Sequence, residues 1–102
     1  MNLDDGFRDD PEGRRFVLAA HGGEVVALYN PVQGGAMITE TLTPPELQGS
    51  GLASRLAALV MDELRRTDRL ILPVCPFFAN WLRKHPEHAD LVHPAYRVAL
   101  GL

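Results

Sequence analysis

Hydrophobic positions are most regular in the middle of the chain, where they recur at helical spacing. Between residues 50 and 66, apolar side chains repeat every three or four residues, and most charged side chains fall on the other faces. The apolar positions of this segment are Leu52, Leu56, Leu59, Val60 and Leu64. The pattern predicts one long amphipathic helix that packs on a core through a single face.

Three apolar runs precede this helix, at residues 15–20, 24–29 and 36–42. Glycine-containing segments at residues 21–23 and 30–35 separate them and are typical of turns. The third run alternates, with Met37, Thr39 and Thr41 on one side and Ile38, Glu40 and Leu42 on the other. Short connections between consecutive strands predict an antiparallel meander of three strands.

The long helix is followed by a second helical segment, with a strand between the two. Residues 69–75 form a nearly uniform apolar run, which is typical of a buried strand. A right-handed crossover would place this strand beside the third strand and parallel to it. Pro73 lacks a backbone donor and predicts that strand pairing fails there, at a bulge or an edge. Pro76 suits a first helical position, and the predicted second helix covers residues 76–85.

The two ends of the chain are the least informative parts. Residues 1–13 are polar and acidic and are interpreted as a loose lead-in. Residues 96–100 fit either a last short strand or a tail. Together the elements predict a small α/β (α+β) fold of order β-β-β-α-β-α, in one domain that covers residues 1–102.

Length and composition disfavour several classes of function. The formal net charge of −3 disfavours nucleic-acid binding, and no apolar run approaches the roughly 20 residues that span a membrane. The acidic N-terminus does not resemble a signal peptide. The single cysteine excludes an internal disulfide and fits a cytoplasmic location. The four histidines show no spacing typical of a metal site, so no metal is predicted.

A glycine-bearing loop opens the long helix and is the clearest candidate binding element. Gly49 and Gly51 let a ligand approach the backbone closely, and the amides of residues 48–53 face the positive end of the helix dipole. Such a helix start binds phosphate groups. The alternative is that both glycines only serve the loop conformation.

Cys75 and His85 are the candidate chemical groups around the second helix. Cys75 lies at the end of the predicted parallel strand and at the start of the helix, whose dipole favours a thiolate. Its thiol is therefore a candidate nucleophile, whereas the alternative is a small buried side chain. His85 lies about 15 Å further along the helix and fits a structural role at its C-terminal end. Phe77, Phe78 and Trp81 are interpreted as core residues.

These segments resemble the GCN5-related N-acetyltransferase superfamily. Gln48, Gly51 and Ala53 match its Gln/Arg-x-x-Gly-x-Gly/Ala signature. The sequence resembles a minimal acetyltransferase-like family within this superfamily more closely still, because four segments of that family occur here in the same order. The matching residues are Thr39-Glu40, Pro44, Gly49, Gly51, Ala53, Pro73, Cys75 and His85-Pro86-Glu87. One departure is Ile38, where that family often has a histidine.

The resemblance implies a protein that binds acetyl-coenzyme A (acetyl-CoA) and transfers the acetyl group to an amine. It places the pyrophosphate on the glycine loop, and it places the pantetheine arm between the third and fourth strands. Ala53 is small enough for the helix to pack closely on the sheet. The implied cofactor-binding residues are Ile38, Thr39, Thr41, Leu42, Gln48, Gly49, Ser50, Gly51, Leu52, Ala53 and Asn80, and the implied catalytic residue is Cys75. Cys75 either accepts the acetyl group or lines the site while the amine attacks the thioester directly.

The acceptor and the assembly stay open at this point. The chain is short for the superfamily and lacks much of the sequence where acceptor-site elements normally lie. The acceptor amine is therefore either on a small molecule or on a protein lysine or N-terminus, and the protein is either a monomer or a homodimer. Two alternatives are a coenzyme A-binding sensor or interaction module without catalysis, and an interaction domain without a cofactor.

Overall fold

The computed structural model of the protein describes residues 6–102. Its five strands are β1 (Phe7–Asp10), β2 (Arg15–Ala20), β3 (Gly23–Val32), β4 (Gly35–Leu42) and β5 (Leu70–Pro73). Its helices are α1 (Leu52–Arg66), α2 (Pro76–Lys84) and α3 (Pro94–Leu100), with 3₁₀ turns at Pro45–Leu47 and Pro86–Leu91. The mixed fold with a central sheet confirms the predicted fold class, although it contains one more strand and one more helix.

The strands form a single sheet in the order β1-β2-β3-β4-β5. The first four pair antiparallel, and β5 pairs parallel to β4 after the crossover through α1. This arrangement confirms the predicted meander and the predicted parallel neighbour. The long helix ends at Arg66 as predicted but begins at Leu52, because Gly51 has a left-handed conformation and serves as its N-cap.

The core lies between the sheet and the apolar face of α1, to which α2 adds its own apolar face. Of the positions predicted on α1, all except the half-buried Leu52 are buried. The fully buried large side chains include Phe16, Ile38, Leu56, Leu64, Ile71, Phe78 and Leu82. The core therefore fixes α1 and α2 relative to β4 and β5, and this geometry positions the candidate site.

The predicted loose lead-in is wrong for residues 7–10, which form β1; residues 1–5 lie outside the described part. Phe7 pairs with Leu18 across the strands and stacks on Phe16, with ring centroids 6.2 Å apart. Three of the four side chains of β1 carry a charge, so the local sequence has little strand propensity. Long-range contacts hold this strand in place instead.

Asp9 is the main polar anchor of β1. Its carboxylate accepts hydrogen bonds from the Tyr29 hydroxyl at 2.7 Å and from the Arg69 guanidinium at 3.0 Å. Burial of the phenol and its hydrogen bond to Asp9 raise the pKa of Tyr29 to about 12. The Asp9 and Arg69 side chains are 18% and 24% exposed, so solvent screens this ion pair only partly.

Asp9→Ala is expected to lower the free energy of unfolding by roughly 2–3 kcal/mol, because it leaves the Tyr29 hydroxyl and the Arg69 guanidinium without their partner. The control is Arg8→Ala, also on β1, which removes an exposed ion pair with Glu24 of β3 and should cost less than about 1 kcal/mol. Urea unfolding of both variants measures the difference. Equal losses in the two variants would contradict the anchoring role of Asp9.

Two other sequence interpretations need correction. The turn predicted over residues 30–35 is much shorter, since β3 continues to Val32 and Pro31 pairs with Ala36. Residues 96–100 are neither a strand nor a tail, because they belong to α3. The imidazole Nδ1 of His93 accepts a hydrogen bond from the amide of Ala95 at 3.1 Å and caps that helix.

Candidate functional site

A β-bulge in β4 reshapes the end of the sheet. Tyr29 pairs with Ile38, but Leu28 pairs with Glu40, so Thr39 is an extra residue in β4. The alternation predicted for this strand is therefore wrong beyond Ile38. Thr41 lies opposite the core residue Ala27 and shares the helix-covered face with Ile38. The bulge thus turns the Thr41 hydroxyl toward the start of α2.

β4 and β5 separate at the same point. Their parallel pairing ends at Ile38 and Pro73, as the proline predicted. The last link is a 2.8 Å hydrogen bond from the amide of Cys75 to the carbonyl of Ile38, after which the chain enters α2. Residues 39–42 continue along β3 without a partner from β5. The result is a split between the two strands, open at their carboxyl ends.

Positive φ angles explain the two glycines of the loop before α1. Gly49 has φ +78° and Gly51 has φ +85°, a region that L side chains rarely adopt. A Cβ atom at either position would meet nothing within 4 Å. The loop conformation therefore requires both glycines, and the space in front of them is open to a ligand.

Half of the six amides predicted to bind phosphate are used within the loop itself. Those of Gln48 and Ser50 donate to the carbonyls of Pro45 and Leu47, and that of Leu52 donates to the Ser50 hydroxyl at 3.3 Å. The amides of Gly49, Gly51 and Ala53 have no acceptor among the described residues, and the N-cap residue Gly51 has no side chain that could accept one of them. Only three of the six predicted amides, at alternate positions of the loop, are therefore available to a ligand.

The free amides and the strand split open onto one cavity of about 300 Å³. The cavity is lined by the loop, by the C-terminal end of β4 at Thr41, and by the first turns of α1 and α2. The lining residues are Thr41, Thr43, Leu47, Gln48, Gly49, Gly51, Ala53, Ser54 and Phe77. Thr43, Leu47, Ser54 and Phe77 are not among the predicted site residues. Of these, only Phe77 carried a signal in the sequence, because it lies on the second helix two residues after Cys75.

The remaining predicted cofactor-binding residues lie around this cavity and do not line it. Ile38 is fully buried beneath the split, and the exposed Thr39 donates a hydrogen bond to the carbonyl of Leu28. Leu42 is 44% exposed and lines a neighbouring cavity of about 520 Å³ with Glu24 and Gln48. Ser50 and Leu52 face neither of these two cavities.

Cys75 lies directly behind the first cavity. Its side chain is 3% exposed and belongs to the core, and its sulfur is 3.3 Å from the hydroxyl oxygen of Thr41. Thr41 lines the cavity and Cys75 does not. The structure thus places the thiol at the split, one side chain away from the open space, as the N-cap of α2.

A further cavity of about 260 Å³, called the second cavity from here on, adjoins the first and shares Ser54 and Phe77 with it. Asn80 lines this second cavity, and its side-chain oxygen accepts a hydrogen bond from Arg83 at 2.8 Å. His85 lines the same cavity and stacks on Trp81 with ring centroids 3.9 Å apart. Phe78 and Trp81 are buried as predicted, but Phe77 is only half-buried.

Residues 6–102 contain neither a membrane-spanning helix nor a metal-binding cluster. No helix in this range is long and apolar enough to cross a membrane. No group of three or more histidine, cysteine or acidic side chains in the same range is arranged to hold a metal ion. The groups found at the site are backbone amides, hydroxyl groups, aromatic rings and the nearby thiol of Cys75.

Comparison with known proteins identifies a family for most of the chain. The model of a family described as GCN5-related N-acetyl-transferase matches residues 15–91, which is most of the chain. A search of curated proteins found no match. The matched region starts at β2 and includes the bulge, the glycine loop, the strand split and α2.

Proposed function

The chain belongs to the GCN5-related N-acetyltransferase family, and from this premise we propose that it binds acetyl-CoA in the first cavity and transfers the acetyl group to an amine. One observation carries the proposal: free amides at the start of α1 and a split between two parallel strands open onto the same cavity. These are the two features that a ligand with a pyrophosphate and an extended amide arm requires.

The loop supplies the pyrophosphate site. The amides of Gly49, Gly51 and Ala53 have no protein acceptor, and the dipole of the 15-residue helix α1 adds a partial positive charge behind them. Phosphate oxygens are strong acceptors for such amides. No Cβ atom at Gly49 or Gly51 holds the ligand away from the backbone.

The tip of β4 supplies the site for the pantetheine arm. Residues 39–42 have no partner strand on the β5 side. The amide groups of pantetheine would pair with this edge as an added strand does, which combines backbone hydrogen bonds with an apolar groove. The thioester end would then lie beside Thr41 and Cys75.

Cys75 is proposed as the group that receives the acetyl group. Its sulfur attacks the thioester carbonyl carbon, the bond from that carbon to the coenzyme A sulfur breaks, and the thiol proton passes to the leaving thiolate. The amine then attacks the acetyl-cysteine, and one amine proton returns to the sulfur of Cys75. Rotation of the Thr41 side chain, which lies between the thiol and the cavity, is required for the first step.

Binding and transfer are tested with the wild-type chain. Acetyl-CoA at a hundred times its dissociation constant is expected to raise the free energy of unfolding by about 2.7 kcal/mol. Labelled acetyl-CoA with a panel of small amines and peptides measures transfer. Absence of both stabilisation and transfer would overturn the proposal.

A coenzyme A-binding module without catalysis is the second candidate function. The observation in its favour is the burial of Cys75, which is 3% exposed and does not line the cavity. Tight binding of acetyl-CoA without transfer to any amine of the panel would support this function over the first. The acceptor class, a cytoplasmic location and a monomeric or homodimeric state also remain predictions.

A further inference from the structure

The neighbouring cavity of about 520 Å³ lies at the C-terminal end of β4 and is called the third cavity here. Its lining residues are Glu24, Thr41, Leu42, Thr43, Pro44 and Gln48. Thr41, Thr43 and Gln48 also line the first cavity, so the two cavities meet at these side chains. A molecule in the third cavity would therefore meet the thioester end of a ligand in the first cavity at Thr41.

The groups that line the third cavity suit a ligand with an apolar middle and a charged end. The Thr41 hydroxyl oxygen lies 3.3 Å from the sulfur of Cys75. Leu42, which is 44% exposed, and Pro44 provide an apolar wall. Glu24 is the only charged residue among the described residues that line this cavity. The cavity thus combines a polar end near the thiol, an apolar wall and a carboxylate.

The register of the sheet gives the separation between the two ends. Thr41 pairs with Ala27, and Leu42 pairs with Val26. Glu24 lies three residues from Ala27 along β3, which corresponds to about 10 Å at the rise of a β-strand. Glu24 lies two residues from Val26, so its side chain and that of Leu42 share one face of the sheet. A ligand that contacts Glu24 and reaches Thr41 has to span this distance along Leu42.

Glu24 can accept a cationic ligand although it already contacts Arg8. The charged groups of the two residues lie 3.4 Å apart, and the Glu24 and Arg8 side chains are 43% and 49% exposed. An exposed ion pair of this kind contributes little to stability, so a ligand can compete with it. The contact uses the Oε2 oxygen of Glu24 and leaves Oε1 to accept a hydrogen bond from an ammonium group.

We propose that the third cavity is the acceptor site and that it selects an aliphatic diamine or polyamine. One ammonium group of the acceptor pairs with the carboxylate of Glu24, and the methylene chain lies along Leu42 and Pro44. The free amine at the other end reaches the acetyl group beside Thr41. This inference rests on the proposed function, which places the thioester there. The amine nitrogen forms the amide bond as the bond from the acetyl carbon to the sulfur of Cys75 breaks, and one amine proton passes to that sulfur.

The test compares hexamethylenediamine with hexylamine, which has the same carbon chain but no second charge. Transfer from labelled acetyl-CoA under steady-state conditions measures kcat/KM for each amine. In the wild type, kcat/KM is expected to be roughly fivefold higher for the diamine, after correction for its two reactive amines, because an exposed ion pair changes affinity by up to about this factor. Spermidine should show the same preference over hexylamine.

Variants at both partners of the ion pair should change this preference in opposite directions. Glu24→Gln should abolish it, because the charge is removed and the side-chain shape is kept. Arg8→Ala should increase it, because the competing cation is removed. The matched control is Glu12→Gln, which removes an exposed carboxylate from the turn between β1 and β2, at the opposite end of β2 from Glu24. This control should keep the wild-type preference.

The ratio of the two kcat/KM values separates recognition from general effects, because both amines depend on the same cofactor site and the same thiol. A wild type without a preference for the diamine, or a Glu24→Gln variant that keeps it, would overturn the inference alone. A lysine-containing peptide that is acetylated faster than both hexamethylenediamine and spermidine would also overturn it, since the acceptor would then be a protein. A wild type that transfers acetyl to no amine would overturn the proposed acetyl transfer as well.

Discussion

Gly51→Asp is expected to bind coenzyme A about a hundredfold more weakly than Gly51→Asn does. The two side chains have the same shape and differ by one negative charge. A carboxylate about 5 Å from a pyrophosphate repels it by roughly 3 kcal/mol at the effective dielectric constant of a protein surface. A Cβ atom at this position meets nothing within 4 Å, so neither variant should clash with the loop.

The asparagine variant separates charge from backbone conformation. Gly51 has φ +85° and is the N-cap of α1. Asparagine and aspartate tolerate the left-handed region better than other side chains do, and both are good N-cap residues, so the two variants should have similar unfolding free energies. Calorimetry measures the two affinities. If aspartate and asparagine bound coenzyme A equally well, the pyrophosphate would not lie at the start of α1.

The central elements of the fold could be predicted because each has a strong local signal. Apolar positions at helical spacing predicted α1 to its last residue, Arg66. Pro73 marked the end of the β5 pairing, and the parallel ladder stops at Ile38 and Pro73. Pro76 predicted the start of α2 for the related reason that a first helical position needs no donor.

β1 and α3 were missed for different physical reasons. β1 depends on contacts that are distant in sequence, such as the ion pair between Asp9 and Arg69, and no local pattern reports them. The end signals of α3 were present in the sequence. Pro94 at the first helical position is a typical helix start, and Gly101 directly after the last helical residue is a typical helix end.

The bulge could not be predicted, and it changes the composition of the candidate site. A simple alternation places Thr41 and Ile38 on opposite faces of the sheet. The extra residue Thr39 instead puts both on the helix-covered face. Only this rotation brings the Thr41 hydroxyl within 3.3 Å of the sulfur of Cys75. Likewise, the sequence identified the glycine loop, but only the structure shows which of its amides lack an acceptor.

Cys75→Ala is expected to lower the rate of acetyl transfer roughly a thousandfold if the acetyl group passes through the thiol. Coenzyme A affinity should change only a few-fold, because Cys75 does not line the first cavity. Single-turnover kinetics with labelled acetyl-CoA measure the rate. Mass spectrometry of the wild type should also detect an acetyl adduct on Cys75 that is absent from the variant.

Thr41→Val is the matched variant, because it replaces the hydroxyl beside the thiol with a methyl group of similar size. It should leave the thiol in place and slow transfer far less than Cys75→Ala does, since the nucleophile is retained. A Cys75→Ala variant that transfers at the wild-type rate without any adduct would show direct attack of the amine on the thioester. The thiol would then be a small core side chain, and the split between β4 and β5 would act only by holding the two reactants together.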